Sequence, residues 1–106
     1  MASNKEYLEY ILGQLSELEE IKYRTMMGEF ILYYRGKIVG GIYDDRLLVK
    51  PVKSAVRYMP TALYELPYDG AKRMLLVEEV DNKKFLTGLF DAMYAELPAP
   101  KQKRGK

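Results

Sequence analysis

The residue types that carry out most enzymatic chemistry are missing from this sequence. The chain has 106 residues and contains neither cysteine nor histidine. Thiol nucleophiles, disulfides and iron–sulfur clusters are therefore excluded, and so are the Ser–His and Cys–His pairs of common hydrolases. A zinc site would need carboxylates alone, which is unusual. We therefore expect a protein that is not an enzyme and that uses no cofactor or metal.

Two pairs of adjacent carboxylates are the remaining candidates for acid–base chemistry. Asp44-Asp45 lies between two strand-like segments, where aspartate favours a turn for backbone reasons. Glu78-Glu79 ends another strand-like segment, and neighbouring side chains of a strand point to opposite faces. Neither pair fits a calcium loop, and the sequence lacks the glycine-rich phosphate-binding motifs.

Side chains suited to binding are more prominent than side chains suited to catalysis. The ten tyrosines and six methionines are of types enriched in protein interfaces, although tyrosine also packs in cores with its hydroxyl in water. Three cations follow one side of a short predicted helix, where they either contact phosphate or an acidic partner or form a solvated face. The candidate interaction or ligand surface comprises Arg24, Met26, Met27, Glu29, Lys50, Lys53 and Arg57.

Gly40-Gly41 interrupts a strand-like segment. Glycine at such a position marks either a ligand close to the backbone, or a β-bulge or a helix packed tightly on the sheet. The first explanation, combined with Arg24 and Glu29, would make a small-molecule site. The second is purely structural.

Hydrophobic periodicity predicts the elements that must position these residues. Ser3 and Glu6 match a capping box, and leucines at helical spacing predict a first helix over residues 4–20. From Tyr23 onward, β-branched and aromatic residues dominate. Strands are predicted over residues 30–34, 37–43, 46–50, 62–66 and 74–77.

Turn signals connect these segments. Arg35-Gly36 and Asp44-Asp45 are two-residue turns, so the first three predicted strands form an antiparallel meander. Pro51 suits the first turn of a short helix over residues 51–59. A further turn is predicted at residues 68–70.

The last helix has the clearest signals. Asp81 is its predicted N-cap, Val80 and Phe85 occupy the positions of a hydrophobic staple, and Pro98 ends it. The resulting order is α-β-β-β-α-β-β-α. Tight hairpins before and after a helix predict a two-layer α+β domain, in which an antiparallel sheet carries its helices on one face.

One folded domain and a tail are expected. Four of the 17 Lys and Arg side chains lie in residues 98–106, and Asp and Glu outnumber Lys and Arg in the rest of the chain. Residues 1–97 are therefore predicted to form the domain, and residues 98–106 a disordered basic tail. No segment matches a signal peptide or a membrane span, so we expect a cytoplasmic protein without a membrane partner.

Residues 24–50 resemble the N-terminal domain of the TfoX/Sxy family. Met26-Met27-Gly28 opens a meander, the Arg35-Gly36 turn and a small-residue strand follow, and a segment from Asp44 to Lys50 ends it. With Pro67-Tyr68 and the final helix, the resemblance covers about residues 5–97. It implies a fold similar to the secretion-chaperone-like α+β architecture. It also implies a relation to transcriptional co-activators of natural competence, here as a stand-alone N-terminal domain without the C-terminal domain of those regulators.

Three functions remain open at this point. The first is a non-enzymatic interaction module that binds an unidentified protein partner or forms a homodimer. The second is a nucleic-acid accessory protein that acts through the basic tail and the stripe of Lys50, Lys53 and Arg57, with salt-sensitive binding. The third is a small-molecule binder that uses Arg24, Glu29 and the Gly40-Gly41 strand.

Overall fold

Six strands and three helices make up residues 4–98, the part of the chain that the computed structural model describes. In chain order the elements are α1 (Lys5–Gln14), β1 (Ile21–Met26), β2 (Glu29–Tyr34), β3 (Lys37–Tyr43), β4 (Arg46–Val49), α2 (Lys53–Tyr58), β5 (Tyr64–Glu65), β6 (Met74–Leu76) and α3 (Lys83–Tyr94). The strands form one antiparallel sheet in the spatial order β1-β2-β3-β4-β6-β5. The predicted α+β class is confirmed.

Three two-residue turns connect the strands from β1 to β4. Both central residues have positive φ in each: 54° and 82° at Met27-Gly28, 52° and 84° at Arg35-Gly36, and 54° and 57° at Asp44-Asp45. Positive φ at both positions is typical of type I′ hairpin turns, whose twist matches that of paired strands. The two predicted turns are confirmed. The predicted order of elements lacked one strand, because four strands rather than three precede α2.

Buried and half-buried residues alternate along β2, which shows which side chains point to each face of the sheet. Phe30, Leu32 and Tyr34 are buried, whereas the residues between them are half-buried. The three buried side chains belong to one core cluster with residues of all three helical segments. The helical segments contribute Leu8, Ile11, Leu15, Ala55, Leu86, Leu89, Phe90 and Met93. The described helices therefore cover one face of the sheet, as predicted, and leave the other face without a helix.

α1 is shorter than the predicted helix. Its N-cap is Asn4, whose side chain accepts a backbone N–H hydrogen bond of 2.7 Å in the first turn; the predicted cap, Ser3, lies outside the described residues. The helix ends at Gln14, and the chain continues in tight turns, in which the N–H of Leu18 donates to the C=O of Leu15. Both leucines still pack on the core, because such turns keep residues three apart on the same side. The three-residue spacing of these leucines was recognised in the sequence, but both were assigned to one longer helix.

The predicted starts of α2 and α3 were also wrong. Pro51 precedes the cap residue of α2 and lies outside the helix instead of in its first turn. Asn82, not Asp81, caps α3, and its side chain accepts the N–H three residues later at 3.0 Å. Asp81 instead accepts a hydrogen bond from the Tyr10 hydroxyl. Aspartate and asparagine are equally good caps, so local sequence could not choose between them.

β5 and β6 are shorter than predicted, with two and three residues. The loop between them, residues 66–73, contains the turn predicted at 68–70, in which the N–H of Ala71 donates to the C=O of Tyr68 at 3.1 Å. Of the predicted tail, all but Pro98 lies outside the described residues. No helix within residues 4–98 has the length and apolar character needed to cross a membrane.

Candidate functional site

The loop between β5 and β6 covers part of the helix-free face. Tyr43 and Leu48 are buried there, yet neither belongs to the core cluster on the helix side. Tyr43 packs against Tyr68 of the loop, with ring centroids 6.2 Å apart. The Arg46 guanidinium fixes the start of the loop, since it forms an ion pair with Glu65 and donates to a loop carbonyl at 3.3 Å. The loop thus closes a small second apolar cluster.

An apolar groove of about 290 Å³ lies beside this cluster. Its lining residues are Met26, Met27, Glu29, Ile31, Tyr43 and Tyr68. Met26 and Ile31 reach the groove because alternate residues of the paired strands β1 and β2 face away from the helices. The Met27 side chain, in the turn between these strands, is 94% exposed. Thioether and aromatic side chains form an adaptable surface for an apolar side chain of another molecule.

Two polar groups at the groove do not form a reactive pair. The Glu29 carboxylate accepts the N–H of Asp44 at 3.1 Å, so it helps to hold the turn between β3 and β4. Burial raises the pKa of Tyr43, and the nearby Tyr68 and Glu29 raise it further. A phenol with a raised pKa is a poor base and a poor nucleophile at neutral pH. The groove is therefore suited to binding.

A more polar depression of about 440 Å³ lies toward the other end of β1. Lys22, Arg24 and Tyr33 line it, and Glu20 borders it. Within the described part of the chain, the side chains of Lys22 and Arg24 make no hydrogen bond and no ion pair. Two cations, two residues apart on one strand, are thus presented to solvent next to the apolar groove.

The candidate residues from the sequence divide into two separate groups. The first group lies together on the helix-free face and consists of Arg24, Met26, Met27 and Glu29. Lys53 and Arg57 lie on α2, which packs on the covered face, and Lys50 joins β4 to α2. The N–H of Ser54 donates to the Glu96 carboxylate at 2.7 Å. This bond lowers the pKa of Glu96, and the charges of Arg57 and Lys53 contribute. A carboxylate therefore already lies beside these two cations.

Protein atoms occupy the space beside Gly40 and Gly41. The pairing of β2 with β3 shifts after Leu32, as in a β-bulge. A side chain at Gly40 would overlap the carbonyl oxygen of Leu48 in β4, and one at Gly41 would meet the ring of Tyr43. The β-bulge is confirmed, whereas the atoms that crowd these glycines belong to the strands and not to a helix. The glycines therefore do not open onto a small-molecule site.

A larger hollow, of about 560 Å³, lies between the segment after α1 and the start of α3. Charged residues of both signs line it, among them Glu78, Glu79, Lys83 and Lys84. Residues 4–98 contain no group of three or more carboxylates that could hold a metal ion. Because this hollow offers neither an apolar anchor nor a chelating group, we place the candidate site at the apolar groove.

Several residues of the site were not identified from the sequence. Lys22 could have been found, because Met27-Gly28 carries the same turn signal as Arg35-Gly36 and predicts a strand before it. Tyr43 and Tyr68 carry no such signal. They come together only because the loop between β5 and β6 returns across the sheet.

Comparison with known proteins finds a relative that is similar over the whole chain. The chain is 29% identical over 107 residues to an uncharacterised 12.7 kDa protein in the trpE 5′ region of Spirochaeta aurantia, and the match spans 100% of this chain and 93% of that protein. No protein-family model matches the chain, and no solved structure does. The similarity extends over the whole chain, and the relative's name assigns no activity to it.

Proposed function

We propose that this protein is a non-enzymatic protein-interaction module, which binds a partner protein at the apolar groove on its helix-free face. The observation that carries the proposal is Met27, a large apolar side chain that is 94% exposed at the rim of the groove. Contiguous apolar surface of this kind marks interaction sites. Met26, at 44% exposure, and Tyr68, at 56%, extend the same surface.

The backbone at Met27 supports the same conclusion. Its φ of 54° lies in the left-handed region, where a non-glycine residue costs about 1–2 kcal/mol and asparagine, aspartate or glycine is favoured. A methionine here lowers stability and exposes an apolar group at once. Arg35 shares this conformation in the next turn, and what distinguishes Met27 is that the strained residue is also an exposed apolar one, a combination expected at a binding site.

The resemblance to the TfoX/Sxy N-terminal domain is compatible with this proposal. Regulators of that family act together with a partner protein, and the resemblance brings no catalytic residues with it. We therefore favour a role as an accessory protein, with transcription as the process that the resemblance suggests.

Site-specific photo-cross-linking tests the proposal. The photoreactive residue benzoylphenylalanine replaces Tyr68 in the full chain, which is expressed in the organism that naturally contains it. We expect one or a few discrete covalent adducts with other proteins, and we expect Met26→Asp to abolish them. The matched control places the same residue at Tyr10, which is 43% exposed on α1. No adducts at residue 68, or the same adducts from both positions, would overturn the proposal.

A further inference from the structure

β1 is an edge of the sheet. Within residues 4–98, β2 is its single neighbouring strand, and its residues from Lys22 to Met26 are exposed. Edge strands carry unpaired N–H and C=O groups that can pair with a strand of another chain. With six residues, β1 has the usual length of a strand in a globular protein.

The side chains of β1 on the helix-free face change character along the strand. Lys22, Arg24 and Met26 pair with Tyr33, Ile31 and Glu29 of β2 and share one face. The two cations border the polar depression, and Met26 lines the apolar groove. A strand added to β1 would meet two positive charges and then an apolar pocket, at a spacing of two residues.

Charge favours an acidic segment over a second copy of this chain as the occupant. In an antiparallel pair of two β1 strands, residues of the same face lie opposite each other. The registers centred on Lys22, Tyr23 and Arg24 each place two cations opposite each other, and Glu20, just before β1, is the nearest acidic residue that a second copy offers to them. Like charges directly across a strand pair are destabilising, whereas opposite charges stabilise it.

We infer that the occupant is an extended segment of another protein, which pairs with β1 as an additional strand. Acidic side chains lie opposite Lys22 and Arg24, and an apolar side chain enters the groove at Met26. The intervening residues of the segment face the helix side, beside Tyr23 and Thr25. This inference rests on the proposed function and specifies the chemistry of the partner.

An alternative role for the cations is protection of the edge. Charged residues on edge strands prevent unwanted pairing with other chains. Protection alone requires no apolar groove at the end of the strand, and no exposed methionine beside it. The two roles differ in whether any segment binds, and the experiment separates them.

Selection from a phage library of short random peptides tests the inference. The full chain is the immobilised target. We expect enriched sequences to alternate, with acidic residues at two positions two apart and an apolar residue two positions further along. For a selected synthetic peptide, the charge-reversed variant Lys22→Glu/Arg24→Glu should lower the affinity by about tenfold.

The matched control is Lys53→Glu/Arg57→Glu, which changes the net charge by the same amount on the covered side of the molecule. It should leave the affinity of the selected peptide unchanged. No enrichment, enrichment without the acidic and apolar pattern, or an equal effect of both double variants would overturn the inference. If cross-linking at residue 68 captures a partner while this selection fails, the strand-addition inference is wrong and the proposed function stands. If neither experiment detects binding, both are wrong.

Discussion

Replacement of Met27 by asparagine should raise stability and weaken partner binding at the same time. Relief of the left-handed backbone is worth about 1–2 kcal/mol at most for a non-glycine residue, and asparagine tolerates this conformation. Because the Met27 side chain is 94% exposed, its removal costs little buried apolar area. We therefore expect the free energy of unfolding to rise by about 1 kcal/mol.

Urea unfolding followed by circular dichroism measures this change. The denaturant dependence should stay constant, so that the midpoint alone moves, and the melting temperature should rise by roughly 4–8 °C. The matched control is Met26→Asn, one residue earlier in β1, where asparagine disfavours a strand and should lower the free energy of unfolding. In the chain with benzoylphenylalanine at residue 68, Met27→Asn should reduce adduct formation.

Two results would refute the reasoning. If Met27→Asn leaves the free energy of unfolding unchanged or lowers it, the backbone at this turn is not strained in the way its φ implies. If it raises stability and leaves the adducts unchanged, Met27 contributes no binding, and the observation that carries the proposed function is removed.

Three further predictions concern the fold. Burial and, next, a hydrogen bond to Asp91 of α3 raise the pKa of Tyr34 to about 12. The unfolded chain therefore loses this proton first, and the contribution of Tyr34 to the free energy of unfolding, about 2–3 kcal/mol at most, should be lost as pH rises from about 10 to about 12. Tyr34→Phe should remove this part of the alkaline loss in urea titrations across that window, and an unchanged slope would contradict it. Gly40→Ala should destabilise by more than about 3 kcal/mol because its side chain would overlap the β4 backbone, whereas Gly13→Ala, in α1 with open space around it, should stabilise by about 0.5–1 kcal/mol; equal midpoints would count against the close approach of β4 to Gly40. Gly88→Ala should displace the Tyr58 hydroxyl, so a double-mutant cycle with Tyr58→Phe should give a favourable coupling of about 0.5–3 kcal/mol, and strict additivity would show that the two residues do not touch.

Much of the fold could be predicted from local pattern. The turns at Arg35-Gly36 and Asp44-Asp45, and the full extent of β3, follow from residues within a few positions of each other. Helix ends were less accurate. Two good capping residues stand side by side at Asp81-Asn82; Asn82 caps the helix, while Asp81 accepts a hydrogen bond from Tyr10, far away in the chain.

The candidate site was only partly predictable. Seven residues were assigned to one surface from the sequence, and four of them, Arg24, Met26, Met27 and Glu29, lie together on one face. The cations of α2 were placed in the same surface, but α2 packs on the opposite face of the sheet. Sequence spacing cannot assign a face to a helix that is separated from β1 by three strands.

The sequence by itself determined the chemistry that is missing, the antiparallel meander and the amphipathic helices, because composition, turn residues and periodicity are local properties. The tertiary structure alone decided which face of the sheet stays open and where the groove lies. The helices cover one face through long-range apolar contacts, and the loop around Tyr68 returns over β3 and β4 on the other. These contacts join residues far apart in the chain, so their geometry exists only once the whole domain has folded.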